Sequence, residues 1–186
     1  TGNPNLLSML QDLTTDMATV RSNVTTVNPN LLSSVRFLTS NSDLTNANVT
    51  DMDLSNMDLR NATLTGVRGR VAAHTDATLP SGYKFINRYI VGPNVNLIDA
   101  ELEGQDLTGV DLTNVYLIGA RLDNVKGQLA AHVRATLSVG YKFINRYIVG
   151  RNVDLTNADF EGQDLTGADL NGVDLSNAVL NNDTLT

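Results

Sequence analysis

Aspartate recurs in this chain at a fixed place: Asp106, Asp111, Asp164, Asp169 and Asp174 each stand one residue before a leucine. Carboxylates in close pairs can work as general acid and base or hold calcium. An active-site carboxylate needs a distinctive neighbour to shift its pKa, and none of these aspartates has one. They read as the solvated wall of a repeat, which keeps the chain soluble. Two histidines, His74 and His132, each follow Ala-Ala. A catalytic or metal-bound histidine needs partners, yet there is no His-x-x-x-His and no cysteine. They read as structural or exposed. The Gly-x-x-x-x-Gly-Lys-Ser/Thr phosphate cradle, the Gly-x-Ser-x-Gly elbow and the dinucleotide fingerprint are all missing. The chain is therefore expected to be non-enzymatic, with no catalytic residue, no metal site and no cofactor.

A second constellation mixes cations and rings. Tyr83, Lys84, Arg88 and Tyr89 reappear as Tyr141, Lys142, Arg146 and Tyr147, inside an eleven-residue string, Gly-Tyr-Lys-Phe-Ile-Asn-Arg-Tyr-Ile-Val-Gly, at 82–92 and 140–150. Such residues can stack as tyrosine–arginine ladders on a structural wall. They can equally form a contact patch for an acidic partner or a glycan. In the first case they carry structure; in the second they are the candidate interaction site. The similarity extends further, since residues 70–112 and 128–170 match at 30 of 43 positions.

The elements that position these residues follow from one beat. Leu44, Val49, Leu54, Leu59 and Leu64 lie five apart; so do Leu97, Leu102, Leu107, Leu112, Leu117 and Leu122, and then Leu155, Phe160, Leu165, Leu170, Leu175, Leu180 and Leu185. A period of five is neither the 3.6 of a helix nor the 2 of a flat strand. It requires a backbone that turns a corner in every unit, which is a solenoid. Units such as Ala168-Asp169-Leu170-Asn171-Gly172 place a small residue two before the central one, a polar residue one before, and Gly or Asn at the corner.

This layout resembles the pentapeptide-repeat family over 43–69, 95–124 and 153–185. The resemblance implies an all-β solenoid, a right-handed quadrilateral β-helix of about four units per coil. Central leucines and small residues would then face inward. Val110, Val115, Val153 and Val173 are larger than the family's usual alanine, and Gln105 and Gln163 are polar there, which predicts slightly widened or irregular coils. The interruptions, about 70–94 and 128–152, are rich in strand formers. A strand pair turning at Asn87-Arg88 is one solution, but Asn-Arg is a weaker turn than Asn-Gly. The reading adopted is an irregular coil wall that stays on the axis. The 58-residue offset then approximates three coils, placing both copies on nearly the same face, about three rises of ~4.8 Å apart.

Residues 1–42 differ from the rest and form the first of two segments, with 43–186 the β-helix. Asn3-Pro4 and Asn28-Pro29 suit helix starts, predicting helices over about 4–24 and 29–38. Leu6, Leu10, Leu13, Met17, Val20, Val24 and Val27 make a heptad seam. The segment is expected to be an α-helical cap or an oligomerisation element. A net charge of −7 argues against general nucleic-acid binding, and no apolar run reaches the ~20 residues of a membrane span. The expected partners are proteins, or further copies bound through the N-terminal helix or the open C-terminal coil. The function expected is a rigid acidic module docking within a larger assembly. The interruption is similar to those in pentapeptide proteins of algae and their large viruses, which implies a virion or cell-surface setting. The family resemblance also supplies a runner-up, a DNA mimic that protects or inhibits a type II topoisomerase.

Overall fold

The computed structural model describes residues 42–182 and Thr184. The helices expected within 1–42 and the inward place expected for Leu185 lie outside the described residues. From Ser42 onward the chain winds as a β-solenoid whose rungs pair in parallel at an interval of twenty residues. Asp43 pairs with Thr63, Asn48 with Arg68, Asp53 with Ala73 and Asp58 with Thr78, so four five-residue sides close one coil. The same interval joins Asn96 to Tyr116, Asp106 to Lys126 and Asp154 to Asp174. On one wall the pairing is regular enough to make two short parallel strands, β3 (Tyr116–Leu117) and β4 (Thr136–Leu137).

A buried backbone must satisfy every N–H, and the five-residue unit does so completely. The unit around Leu44 shows how. Leu44 N donates to Thr63 O (2.9 Å) and Asn46 N to Thr65 O (2.7 Å), both on the next coil. Ala47 N donates back to Leu44 O (2.9 Å), which turns the corner. From the next coil, Arg68 N, paired with Asn48 at the start of the following unit, donates back to Ala47 O (3.0 Å). The remaining donor, Thr45 N, has no rung to face and is taken by the Asp43 carboxylate (2.9 Å). Corner residues such as Asn46, Asn114 and Asn157 adopt φ near +60°, which asparagine tolerates better than most side chains.

Side chains on the beat point to the axis. Leu44, Val49, Leu54, Leu59, Leu64, Leu97, Leu102, Leu107, Leu112, Leu117, Leu122, Leu155, Phe160 and Leu165 are each at most 4% exposed. Leu170, Leu175 and Leu180 are half-buried. Val110, Val115 and Val153 are buried in the inner place usually given to alanine. They leave the twenty-residue register unchanged, as the Asn96–Tyr116 and Asp111–Ala131 pairs show.

The interruptions correct the sequence reading. Each is a hairpin, not an irregular coil wall. β1 (Lys84–Ile86) pairs antiparallel with β2 (Tyr89–Val91), and β5 (Lys142–Ile144) with β6 (Tyr147–Val149). Asn87 and Arg88 occupy the turn with φ of 44° and 66°, and Asn145 and Arg146 with 43° and 64°. Two positive φ values are what a tight hairpin demands, and arginine is a poor second residue for it. Docking overrides that reluctance. Val71 N donates to Arg88 O (2.8 Å), Asn87 Nδ2 to Glu101 O (2.6 Å) and Arg70 Nη2 to Asn87 Oδ1 (3.1 Å), so the coil itself holds the tip. Room for the hairpin comes where the beat fails. Gly69 and Gly127 stand in the central place, and the neighbouring Val71 and Leu129 are buried instead.

A coil that carries a hairpin spans 28 residues, as the bonds Gly66 N to Asn94 O and Asn124 N to Asn152 O show. The 58-residue offset is therefore one 28-residue coil, one of 20 and half of another. Two and a half coils put the copies on opposite walls, not on nearly the same face. The first tip leans on the wall of Glu101 and the second, through Asn145 Nδ2 to Asp159 O, on the wall of Asp159.

Candidate functional site

The two hairpins carry the eight basic and aromatic residues singled out from the sequence, and most of them face the protein. Tyr83 OH donates to Pro93 O (2.9 Å) and Tyr141 OH to Arg151 O (3.3 Å). Burial, with a smaller push from Asp111 beside Tyr83 and Asp123 beside Tyr141, holds both phenols above their ordinary pKa. Tyr89 OH accepts from Glu101 N (3.2 Å), while Tyr147 tilts against Phe160 with ring centres 5.3 Å apart. Lys84 Nζ donates to Thr108 O and Lys142 Nζ to Thr166 O, so both ammonium groups are tied to the following coil. No tyrosine–arginine ladder forms among the described residues; the ring contacts there join histidine, phenylalanine and tyrosine.

Arg88 and Arg146 differ from the rest. Both are exposed at a hairpin tip, and neither has an ion-pair partner among the described residues. The fold places each arginine on the same hairpin as its own Tyr and Lys neighbours but keeps the two hairpins apart on opposite walls.

His74 and His132 lie on the beat, twenty residues from Leu54 and Leu112, in the place of a central leucine. Each stacks flat on a hairpin ring: His74 on Phe85 with centroids 4.1 Å apart and planes 7° apart, His132 on Phe143 at 4.3 Å and 9°. A planar side chain in the leucine place gives the hairpin a platform. Among the described residues no three His, Cys, Asp or Glu side chains gather in a way that could hold a metal ion.

The recurring aspartates turn out to be structural. Asp53 Oδ1 accepts from Ser55 N (2.8 Å), Asp106 from Thr108 N (2.8 Å), Asp164 from Thr166 N (2.8 Å) and Asp174 from Ser176 N (2.9 Å). Each carboxylate thus takes the one N–H of its unit that faces no rung. The signal is present in the sequence as Asp or Asn two residues before Ser or Thr, the spacing of an Asx turn. Asn48 and Asn96 do the same work without charge, accepting from Thr50 N (3.1 Å) and Ile98 N (3.0 Å).

Hydrogen bonds from the neighbouring Ser or Thr hold Asp53, Asp106, Asp164 and Asp174 below the ordinary carboxylate value of 3.8. Asp58 is lowered furthest, chiefly by its bond to Arg60, whose Nη2 lies 2.7 Å away. A pKa lowered by folding contributes stability above the unfolded value, and that stability is lost as pH falls through the folded value. The melting midpoint should hold at pH 5 and drop once pH passes below 3.8. A variant with Asp53, Asp106, Asp164 and Asp174 all changed to Asn keeps its acceptors and should lose part of that drop. An identical acid profile in the variant would contradict this role.

Stacked five-residue units, inward leucines and a wall of Asx turns define a β-solenoid of the repeat type, a class that works as interaction scaffold. A family model described as Pentapeptide repeats matches eight copies over residues 40–68, 94–126 and 151–182. The chain belongs to the pentapeptide-repeat family. No curated protein matches it. Proteins of this family are repeat and interaction modules, and such a role needs shape and surface, not a reacting centre.

Proposed function

We propose that this chain is a non-enzymatic docking module: a stiff acidic rod that joins partner molecules inside a larger assembly through its two hairpin tips. The observation that carries the reading is Arg88 and Arg146. Each is an exposed arginine held at positive φ in a turn where glycine would sit without strain, and the tertiary fold sustains it. Keeping a cation there twice, in a chain of net charge −7, favours recognition of a carboxylate-bearing protein surface. Because the tips face opposite walls, one rod has two equivalent sites and bridges two copies of that partner. In this reading the setting is a virion or a cell surface.

The test separates binding from fold. Arg88→Gly with Arg146→Gly restores the preferred Asn-Gly turn, and each change should stabilise by about 1 kcal/mol. The melting midpoint should therefore rise, while capture of the partner by the immobilised chain from its source cells is lost. Either single variant should keep one site and halve the bound stoichiometry. Full capture by the double variant would remove the tips from the function. In the same preparation a gyrase supercoiling assay should show no inhibition; inhibition would favour DNA mimicry instead.

A further inference from the structure

The four walls of the coil differ in charge. Three carry carboxylates at several outward positions. The wall that runs through Asn48, Arg68, Asn96, Tyr116 and Thr136 carries none at its outward positions over five coils, although Asp51 and Asp99 mark its corners. On it stand three of the large apolar side chains most open to solvent: Ile98 at 46%, Tyr116 at 52% and Ile118 at 52% exposure. They sit on adjacent rungs, joined by Leu97 N to Tyr116 O (2.9 Å) and Asp99 N to Ile118 O (3.0 Å). Directly before them along the axis lies a depression of about 280 Å³, lined in part by Arg68, Arg70, Tyr89 and Ile98. Gly69 belongs to its lining; a side chain there would meet Thr50 N at 2.7 Å, so the backbone packs too closely for one. Arg70 is spent on Glu101 (2.8 Å), whereas Arg68 is exposed with no ion-pair partner among the described residues.

We propose that this wall is a docking strip for an extended acidic–apolar segment of a partner protein, its carboxylate on Arg68 and its apolar side chains on Ile98, Tyr116 and Ile118. Two arguments choose the occupant. The first is charge: a cation followed by a carboxylate-free apolar row complements an acidic–apolar segment and discriminates against a basic one. The second is size. Five rungs at ~4.8 Å make a strip roughly 19 Å long, and three extended residues make it roughly 10 Å wide. That is far below the ~800 Å² per partner of a stable folded interface. It matches about six residues of extended chain at ~3.3 Å each. A second copy of the rod is too large a body for so small a strip. The strip is distinct from the hairpin tips and stands or falls separately.

The probe is a random heptapeptide library displayed on phage and panned against the full chain, with enriched peptides synthesised and followed by fluorescence polarisation. Enriched peptides should carry Asp or Glu beside Leu, Ile or Phe. Their affinity should fall at least tenfold with Arg68→Glu and, separately, with Ile118→Ser. It should not change with Arg88→Gly and Arg146→Gly together, so failure of this strip is told apart from failure of the tips. Both strip variants lie on the surface and should melt as the parent does. The proposal is overturned by a panning that enriches nothing, by basic peptides, or by binding indifferent to both strip variants. A two-chain mass in light scattering that Ile118→Ser abolishes would also overturn it, by placing a second copy on the wall.

Discussion

Replacing Leu107 by aspartate should remove the cooperative melting transition of the solenoid's central coils. Leu107 is fully buried, and its N donates to Lys126 O (2.8 Å) on the next coil. Losing its burial costs about 1.5–3 kcal/mol. A carboxylate on the axis adds an unpaired buried group, whose effective penalty is several kcal/mol. Together these approach the about 5–15 kcal/mol by which a whole domain is stable. In a stacked repeat the damage is local first, because each coil rests only on its neighbours. Hydrogen exchange should therefore rise first in the coils flanking residue 107. Leu175→Asp provides the contrast: that side chain is already half-buried, so its midpoint shift should be clearly smaller. Equal shifts for the two variants would mean that axial burial is not what holds the rod.

The second large effect is expected at Phe160, which is fully buried where Leu102, its counterpart 58 residues earlier, is the leucine of the beat. Phe160 fills the axis and meets the Tyr147 ring of the second hairpin at a 55° tilt. Phe160→Ala leaves a cavity that close-packed coils fill only in part, at a cost of about 3–5 kcal/mol. For a chain of this length that lowers the midpoint by roughly 6–20 °C, at about 2–4 °C per kcal/mol. Phe160→Leu restores the usual residue and should recover most of the loss. Thermal scans of the three proteins decide it. A Leu variant as damaged as the Ala variant would show that the aromatic contact with Tyr147 stabilises this coil more than the filled volume does.

The acidic and hairpin features divide unevenly between what can be read from the residues and what cannot. The inward leucines are legible because a period of five has no helical or flat-strand solution. The aspartates are legible only as a solvated wall. Their work on the Ser and Thr N–H groups depends on which backbone donors the coil leaves without a rung, and that emerges only when coils stack. The hairpins are misjudged from sequence at Asn87-Arg88, where local turn preference disfavours arginine. The bonds that override it come from Val71, Arg70 and Glu101, as far as 17 residues away in sequence. The histidines escape placement for a similar reason. His74 lies on the beat, but the platform it offers requires Phe85 to fold back over it.

Sequence alone determined that this chain is a stack of five-residue units with leucine inside and polar groups outside, since burial alternates with a local period written in the residues themselves. Tertiary structure decided which wall each feature occupies. That phase depends on how many residues a coil takes up between one rung and the next, 20 or 28, and hydrogen bonds between separate coils set the number. For this reason the same eleven residues, repeated without change, look out from opposite sides of the rod, and the wall of Ile98, Tyr116 and Ile118 comes together from separate coils.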